Sequence, residues 1–136
     1  MRELVRPMVL ALLLAGAPAP VMAESLAGSE WVPVTFGDVV VSDEVEQFVQ
    51  FGDEGQVSGT GGCNRFTGSY TVDGTTLTIG PLAATRMMCP PVAMEREQAF
   101  FGAMDSTASF LRDGIALTLF DEAGTVLATF RQTDWD

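Results

Sequence analysis

The sequence predicts an α+β domain that is mostly β: a curved antiparallel sheet with one helix near residues 92–106. Two observations carry that expectation. Short runs with apolar residues at alternate positions are separated by turn residues, the period-2 signature of half-buried strands. A single stretch breaks this period: Phe100, Phe101 and Met104 recur at helical spacing.

Taken in order, Trp31 to Phe36 reads as a first strand, with Val32, Val34 and Phe36 on one face, and Gly37 to Glu44 as an acidic loop. Glu46 to Phe51 is a second strand, Gly52-Asp53-Glu54-Gly55 a turn, and Gln56 to Thr60 a third strand. Phe66 to Val72 alternates most clearly, with Phe66, Gly68, Tyr70 and Val72 on one face and Thr67, Ser69 and Thr71 on the other. Asp73-Gly74 then signals a hairpin, because such a turn needs positive φ. It leads into Thr75 to Ile79, with Leu77 and Ile79 inward. After Pro90-Pro91, Val92 to about Ser106 reads as the amphipathic helix, with Glu95 and Glu97 early, where the helix dipole favours negative charge. Phe110 to Arg112 is a short strand. Asp113-Gly114 turns it into Ile115 to Phe120, with Ile115, Leu117 and Leu119 alternating. Asp121 to Gly124 turns again into a last strand lined by Val126, Ala128 and Phe130.

Residues 1–23 read as a secretory signal peptide, leaving residues 24–136 as one domain. Arg2 and Arg6 precede the apolar run Met8 to Ala15, and Val21-Met22-Ala23 suits a signal peptidase. The run is short for a membrane span, which needs about 20 residues, and Pro18 and Pro20 interrupt its end. No cysteine near the cleavage site offers a lipid anchor. The mature protein is therefore expected to be soluble, periplasmic or secreted, with no stable membrane anchor. Cleavage leaves five basic and seventeen acidic side chains, a net charge of −12, with no lysine or histidine. Such a surface repels nucleic acid and anionic lipid, which bind through Lys and Arg clusters.

Without histidine, Ser-His-Asp and Cys-His catalytic arrangements cannot be built, and a His-ligated metal site is excluded. The acidic pairs Asp43-Glu44, Asp53-Glu54 and Asp121-Glu122 lack calcium-loop spacing and read as turn and surface residues. The only two cysteines, Cys63 and Cys89, lack the C-x-x-C spacing of a redox pair. In an oxidising compartment a structural bridge is the leading reading. A thiolate metal pair remains the alternative, as does copper(I) on the neighbouring Met87 and Met88, although core filling is the expected role for one of the two methionines. Asn64, the only asparagine, is expected in a left-handed or bulged backbone between two strands, its amide bonding nearby backbone. Arg65 and Arg86 flank the two cysteine segments and are expected to pair with the many carboxylates; an anion held between them is the sharper alternative.

Two segments then carry a resemblance: Gly62-Cys63-Asn64-Arg65-Phe66-Thr67-Gly68-Ser69-Tyr70 and Thr85-Arg86-Met87-Met88-Cys89. With the early Trp31 and the final Leu-Thr-Leu hairpin, the chain from Trp31 to about Phe130 resembles META/HslJ-type domains. The motif positions are Asn64, Arg65, Phe66, Gly68, Thr85, Arg86, Met87 and Met88. The resemblance implies a sheet curled toward a small open barrel with one helix, no catalytic residues and no cofactor. Bacterial members are typically envelope proteins or lipoproteins, some linked to heat shock or antibiotic tolerance; this chain lacks the lipoprotein cysteine. The expected function is that of an exported, non-enzymatic envelope protein acting through protein contacts in stress tolerance or assembly. The alternative is a carrier of a small apolar ligand or lipid in a cavity between sheet and helix. A deep dry pocket there favours the carrier, and a filled core with exposed apolar positions favours the contact protein.

Overall fold

The computed structural model describes residues 25–133, so the signal peptide expected over residues 1–23 lies outside the described residues. The elements are β1 (Ser29–Phe36), β2 (Val39–Val40), β3 (Phe48–Phe51), β4 (Gln56–Thr60), β5 (Arg65–Asp73), β6 (Thr76–Ile79), β7 (Ala83–Ala84), α1 (Pro91–Ser106), β8 (Ser109–Asp113), β9 (Ala116–Phe120) and β10 (Val126–Gln132). Strand and helix positions follow the sequence pattern closely. The two short ladders β2 and β7 are additions, each two residues long with no alternation to reveal it.

The sheet is antiparallel throughout and does more than curl. Its order runs β10-β9-β8-β6-β5-β4-β3-β1, and β1 also pairs with β10. Eight strands therefore close into a barrel. β1 achieves this by changing partner along its length: Ser29 to Trp31 pair with β3, while Trp31 to Phe36 pair with β10. The register shifts between Pro33 and Thr35, a bulge that turns the strand.

That bulge also corrects the expected facing of β1. Trp31 points inward and is wholly buried, whereas Val34 is exposed and Val32 half-buried. Only beyond the bulge does Phe36 turn to pack on the core. The indole Nε1 of Trp31 donates to Ser29 Oγ at 2.7 Å, and the Arg112 guanidinium lies 5.0 Å from the ring centre. At the strand ends the alternation runs out to the rim, and Val72, Ile115 and Val126 are exposed there.

The interior is filled. Trp31, Phe51, Phe66, Phe100, Phe110, Phe130, Leu77, Leu117 and Leu119 are all buried in one cluster. An eight-stranded barrel is just wide enough for side chains to fill. The helix supplies the plug. Phe100 sits 5.5 Å from Phe66, 6.1 Å from Phe36 and 6.5 Å from Phe130, mostly edge to face. Pro91 opens α1 where a missing N–H costs nothing, and Thr107 closes it by donating to Ala103 O at 2.7 Å. Neither Glu95 nor Glu97 serves the helix dipole as expected: both lie beyond the first turn, and Glu97 is buried.

The closure has one weak seam. β6 and β8 share a single residue pair, Thr76 opposite Ser109. Two backbone bonds hold it, Leu77 N to Ala108 O at 3.1 Å and Phe110 N to Thr75 O at 2.9 Å.

Candidate functional site

The two motif segments meet where β4 turns into β5. The turn itself depends on Gly62, whose φ of +127° few other residues adopt. An added Cβ there meets Val45 Cγ1 at 3.1 Å and Ala93 O at 3.2 Å. Glycine thus takes the unusual backbone, and of the left-handed or bulged conformations expected for Asn64 the left-handed one is not found: its φ is negative.

Asn64 is instead a buried four-way connector. Its Oδ1 accepts from Met87 N at 2.6 Å and Thr85 Oγ1 at 2.9 Å. Its Nδ2 donates to Glu97 Oε2 at 2.8 Å and Met87 O at 3.3 Å. This uses the whole donor and acceptor capacity of a carboxamide. Its backbone N–H donates to Glu97 Oε1 at 2.7 Å, so the helix carboxylate receives two donors from one residue. Thr85 Oγ1 also accepts from Arg65 N at 3.2 Å. Only asparagine offers this pattern, since aspartate lacks the donors and leucine both sets.

A covalent bond backs the polar one. Cys63 and Cys89 form a disulfide with a Cα–Cα distance of 5.9 Å. Cys63 Sγ lies 3.4 Å from Met87 O, a plain contact because a bridged sulfur carries no proton. With both thiols consumed, the thiolate metal pair has no ligands left, and among the described residues no group of three acidic or cysteine side chains gathers around a common point.

The remaining motif residues are placed as follows. Phe66 is buried and meets Phe101 edge to face at 5.6 Å, linking β5 to the helix. At Gly68 a Cβ meets Leu82 Cδ2 at 2.7 Å and Pro81 O at 3.1 Å, so glycine lets the 80–84 segment lie across β5. Two expectations are corrected. Met87 is 56% and Met88 88% exposed, so neither fills the core: Asn64 grips the backbone of Met87, and the segment is held across the surface with its side chains outward. Arg65 and Arg86 are exposed, and among the described residues neither guanidinium pairs with a carboxylate.

Two participants escape sequence reasoning. Glu97 is one of eighteen acidic residues, and no charge pattern or motif marks it as buried. Its i−3 relation to Phe100, which puts both on the buried helix face, was the available signal. Gln47 is buried too: its Nε2 donates to Gly61 O at 2.8 Å and Arg96 O at 2.9 Å, tying the loop before β3 to the turn and the helix. Arg96 Nη2 adds a bond to Ser42 Oγ at 3.1 Å.

A second concave feature lies at the other end of the helix. An open pocket of about 400 Å³ separates α1 from β6 and β7, lined by Ile79, Leu82, Ala84, Phe101, Gly102 and Asp105, with Gly80 at its edge.

The chain matches the META domain over residues 24–134. It belongs to the META domain family. A solved protein from Burkholderia xenovorans is similar at 22% identity with a TM-score of 0.69, covering 81% of this chain and 85% of that one. A second solution structure, 27% identical, has a TM-score of 0.61 over 76% of this chain and 87% of that one. A DUF4847 family protein from Bacteroides vulgatus, 19% identical, has a TM-score of 0.53 over 66% of this chain and 61% of its own. No curated protein matches the chain significantly. In this META domain the motif residues Asn64, Thr85 and Met87 are joined by hydrogen bonds, and the bridge Cys63–Cys89 lies beside them.

Proposed function

We propose that this META domain is an exported, non-enzymatic envelope protein that works through protein–protein contact, in stress tolerance or assembly. The observation that carries this reading is the surface segment Thr85 to Cys89. It is fixed by a disulfide and by Asn64, yet it presents Met87 and Met88 to solvent. Exposed methionines on a rigid mount suit a contact surface, because the thioether is apolar and adapts to varied partners. The side chains of Asn64 and Thr85 are engaged in holding the segment. The disulfide fits an oxidising compartment, periplasmic or extracellular. No helix among the described residues is long and apolar enough to cross a membrane.

The test is a photo-crosslinking residue at position 88 in the producing cell, with a control at Leu111, which is also exposed. A discrete adduct to one envelope protein is expected from position 88 and not from 111, and Met88→Asp should weaken that association. Identical adduct patterns from both positions would sink the reading.

A second reading has its own support. The pocket between sheet and helix, at about 400 Å³, falls within the range of small-ligand sites. It favours the carriage of a small apolar ligand at the barrel surface, since the interior is occupied.

A further inference from the structure

We propose that the pocket beside the C-terminal half of α1 binds a small amphipathic amine, an apolar chain ending in an ammonium group. The proposal rests on the carrier reading and names its ligand class.

Gly102 is the first observation. It lies inside a helix and lines the pocket, and a Cβ added there meets nothing within 4 Å. Neither positive φ nor close packing requires glycine at this position. Glycine is nevertheless the poorest helix former after proline. What its bare backbone accomplishes is an open pocket: a larger side chain at 102 would occupy it.

The wall supplies the second observation. Ile79, Leu82, Ala84 and Phe101 form an apolar surface. The polar groups beside it are the Asp105 carboxylate and the backbone of Ile79. Asp105 contributes a carboxylate at the rim. Ile79 stands opposite Tyr70, and Gly80 N donates to Ser69 O at 2.8 Å, so the N–H and C=O of Ile79 point away from β5. They face the seam, where pairing with β8 has already ended at Thr76. The Ile79 backbone offers a donor and an acceptor alike, but the one charged group lining the pocket is the Asp105 carboxylate, which calls for a donor that carries positive charge. No basic side chain lines the pocket, and the mature chain carries a net charge of −12, so a fatty-acid head group is repelled.

The experiment titrates protein purified from the exporting cell with octylamine, octanoate and octanol, each below its micellar concentration, and follows backbone amide shifts. Octylamine should bind saturably, with shifts centred on Ile79, Leu82 and Phe101. Gly102→Leu should weaken it at least tenfold, and Ala84→Leu, which fills the same space from β7, should reproduce that loss; melting temperatures no lower than that of the parent protein establish that both variants fold. Asp105→Asn should weaken octylamine roughly two- to fivefold, the scale of an exposed ion pair, and leave octanol unchanged. If octanol or octanoate binds as well as octylamine and both fillers abolish all three, the carrier reading stands and the amine assignment is overturned. If nothing binds saturably, or if both fillers leave octylamine binding intact, the carrier reading and the amine assignment fall together.

Discussion

The two halves of α1 are held by different physics. The N-terminal half is cross-linked to three neighbours: the disulfide at Cys89 fixes its approach, Glu97 bonds Asn64 twice, and Gln47 reaches Arg96 O. The C-terminal half has Phe100 and Met104 in the core, but its outer side faces a pocket, and the strand that follows joins β6 through one residue pair. Polar and covalent links specify a single geometry. Apolar packing with a short ladder leaves room for adjustment. The family motifs thus secure one end of the helix and, among the described residues, make no hydrogen bond or disulfide to the other.

The largest way to break the comparison is to remove the covalent link. The bridge closes a loop of 26 residues, which chain-entropy arithmetic values at roughly 3–4 kcal/mol. Reduction, or Cys63→Ser with Cys89→Ser, should lower the melting temperature by about 10–20 °C for a domain of this size. Amide exchange should quicken first at Met87 and Asn64 and only later at Phe110. Uniform loss of protection would mean that the two halves do not differ as described.

Next is the polar link. Asn64→Asp replaces the Nδ2 donor with an acceptor and sets it against Glu97 Oε2, now 2.8 Å away. Two buried carboxylates without a shared proton repel, so the cost is expected at about 3 kcal/mol or more. Lowering the pH, which protonates one of the pair, should recover part of it. Asn64→Ala should show a smaller loss with no such recovery, and equal pH behaviour in the two variants would contradict the assigned geometry.

The sequence displays one half of this contrast better than the other. The strands of the wall were legible because burial on one face imposes period 2: Phe66 and Tyr70, Leu117 and Leu119, Ala128 and Phe130 all obey it. β1 misled because a bulge at Pro33–Thr35 moves the inward face from Trp31 to Phe36, and a bulge leaves no mark in the alternation. Barrel closure was hidden because it depends on one strand holding two partners. The bridge was readable from the cysteine count and the compartment that the first residues lead one to expect. Glu97 and Gln47 were not, because the partners that make their burial tolerable, Asn64 for one and Gly61 and Arg96 for the other, are distant in sequence. One of Met87 and Met88 was expected in the core by composition, and the capture of the Met87 backbone by Asn64, with the bridge at Cys89, holds the segment at the surface with both exposed.

At the soft end the expected effect changes sign. Gly102→Ala should raise stability by about 0.8–1.0 kcal/mol, the difference in helix propensity, because a methyl group there meets no neighbour. Denaturant unfolding reads this directly, at unchanged m-value. A loss of stability would show that glycine is needed by the fold, which removes the ground for reading it as an opening.

The smallest effect comes from Tyr70, on the strand that runs between the two regions. Its phenol donates to Gly52 O at 2.6 Å, and its ring meets Phe51 edge to face at 5.0 Å. Burial, with the nearby Asp53 carboxylate second, pushes its pKa above the ordinary value of 10.0. The folded state therefore favours the protonated phenol. Its contribution to stability is fully present below about pH 10, the unfolded value, and is lost as pH rises through the higher folded value. Because Tyr70 is the only tyrosine, absorbance at high pH follows it without ambiguity. Its ionisation should be shifted upward in the folded protein and return to the ordinary value in urea, and Tyr70→Phe should remove this share of the alkaline loss of stability. Tyr70 also stands opposite Ile79, whose backbone borders the seam. If β6 loosens before the clamped turn does, tyrosine ionisation should precede the loss of amide protection at Asn64 as the pH is raised. Simultaneous loss would show that β5 transmits the rigidity of the clamp along its whole length to the seam.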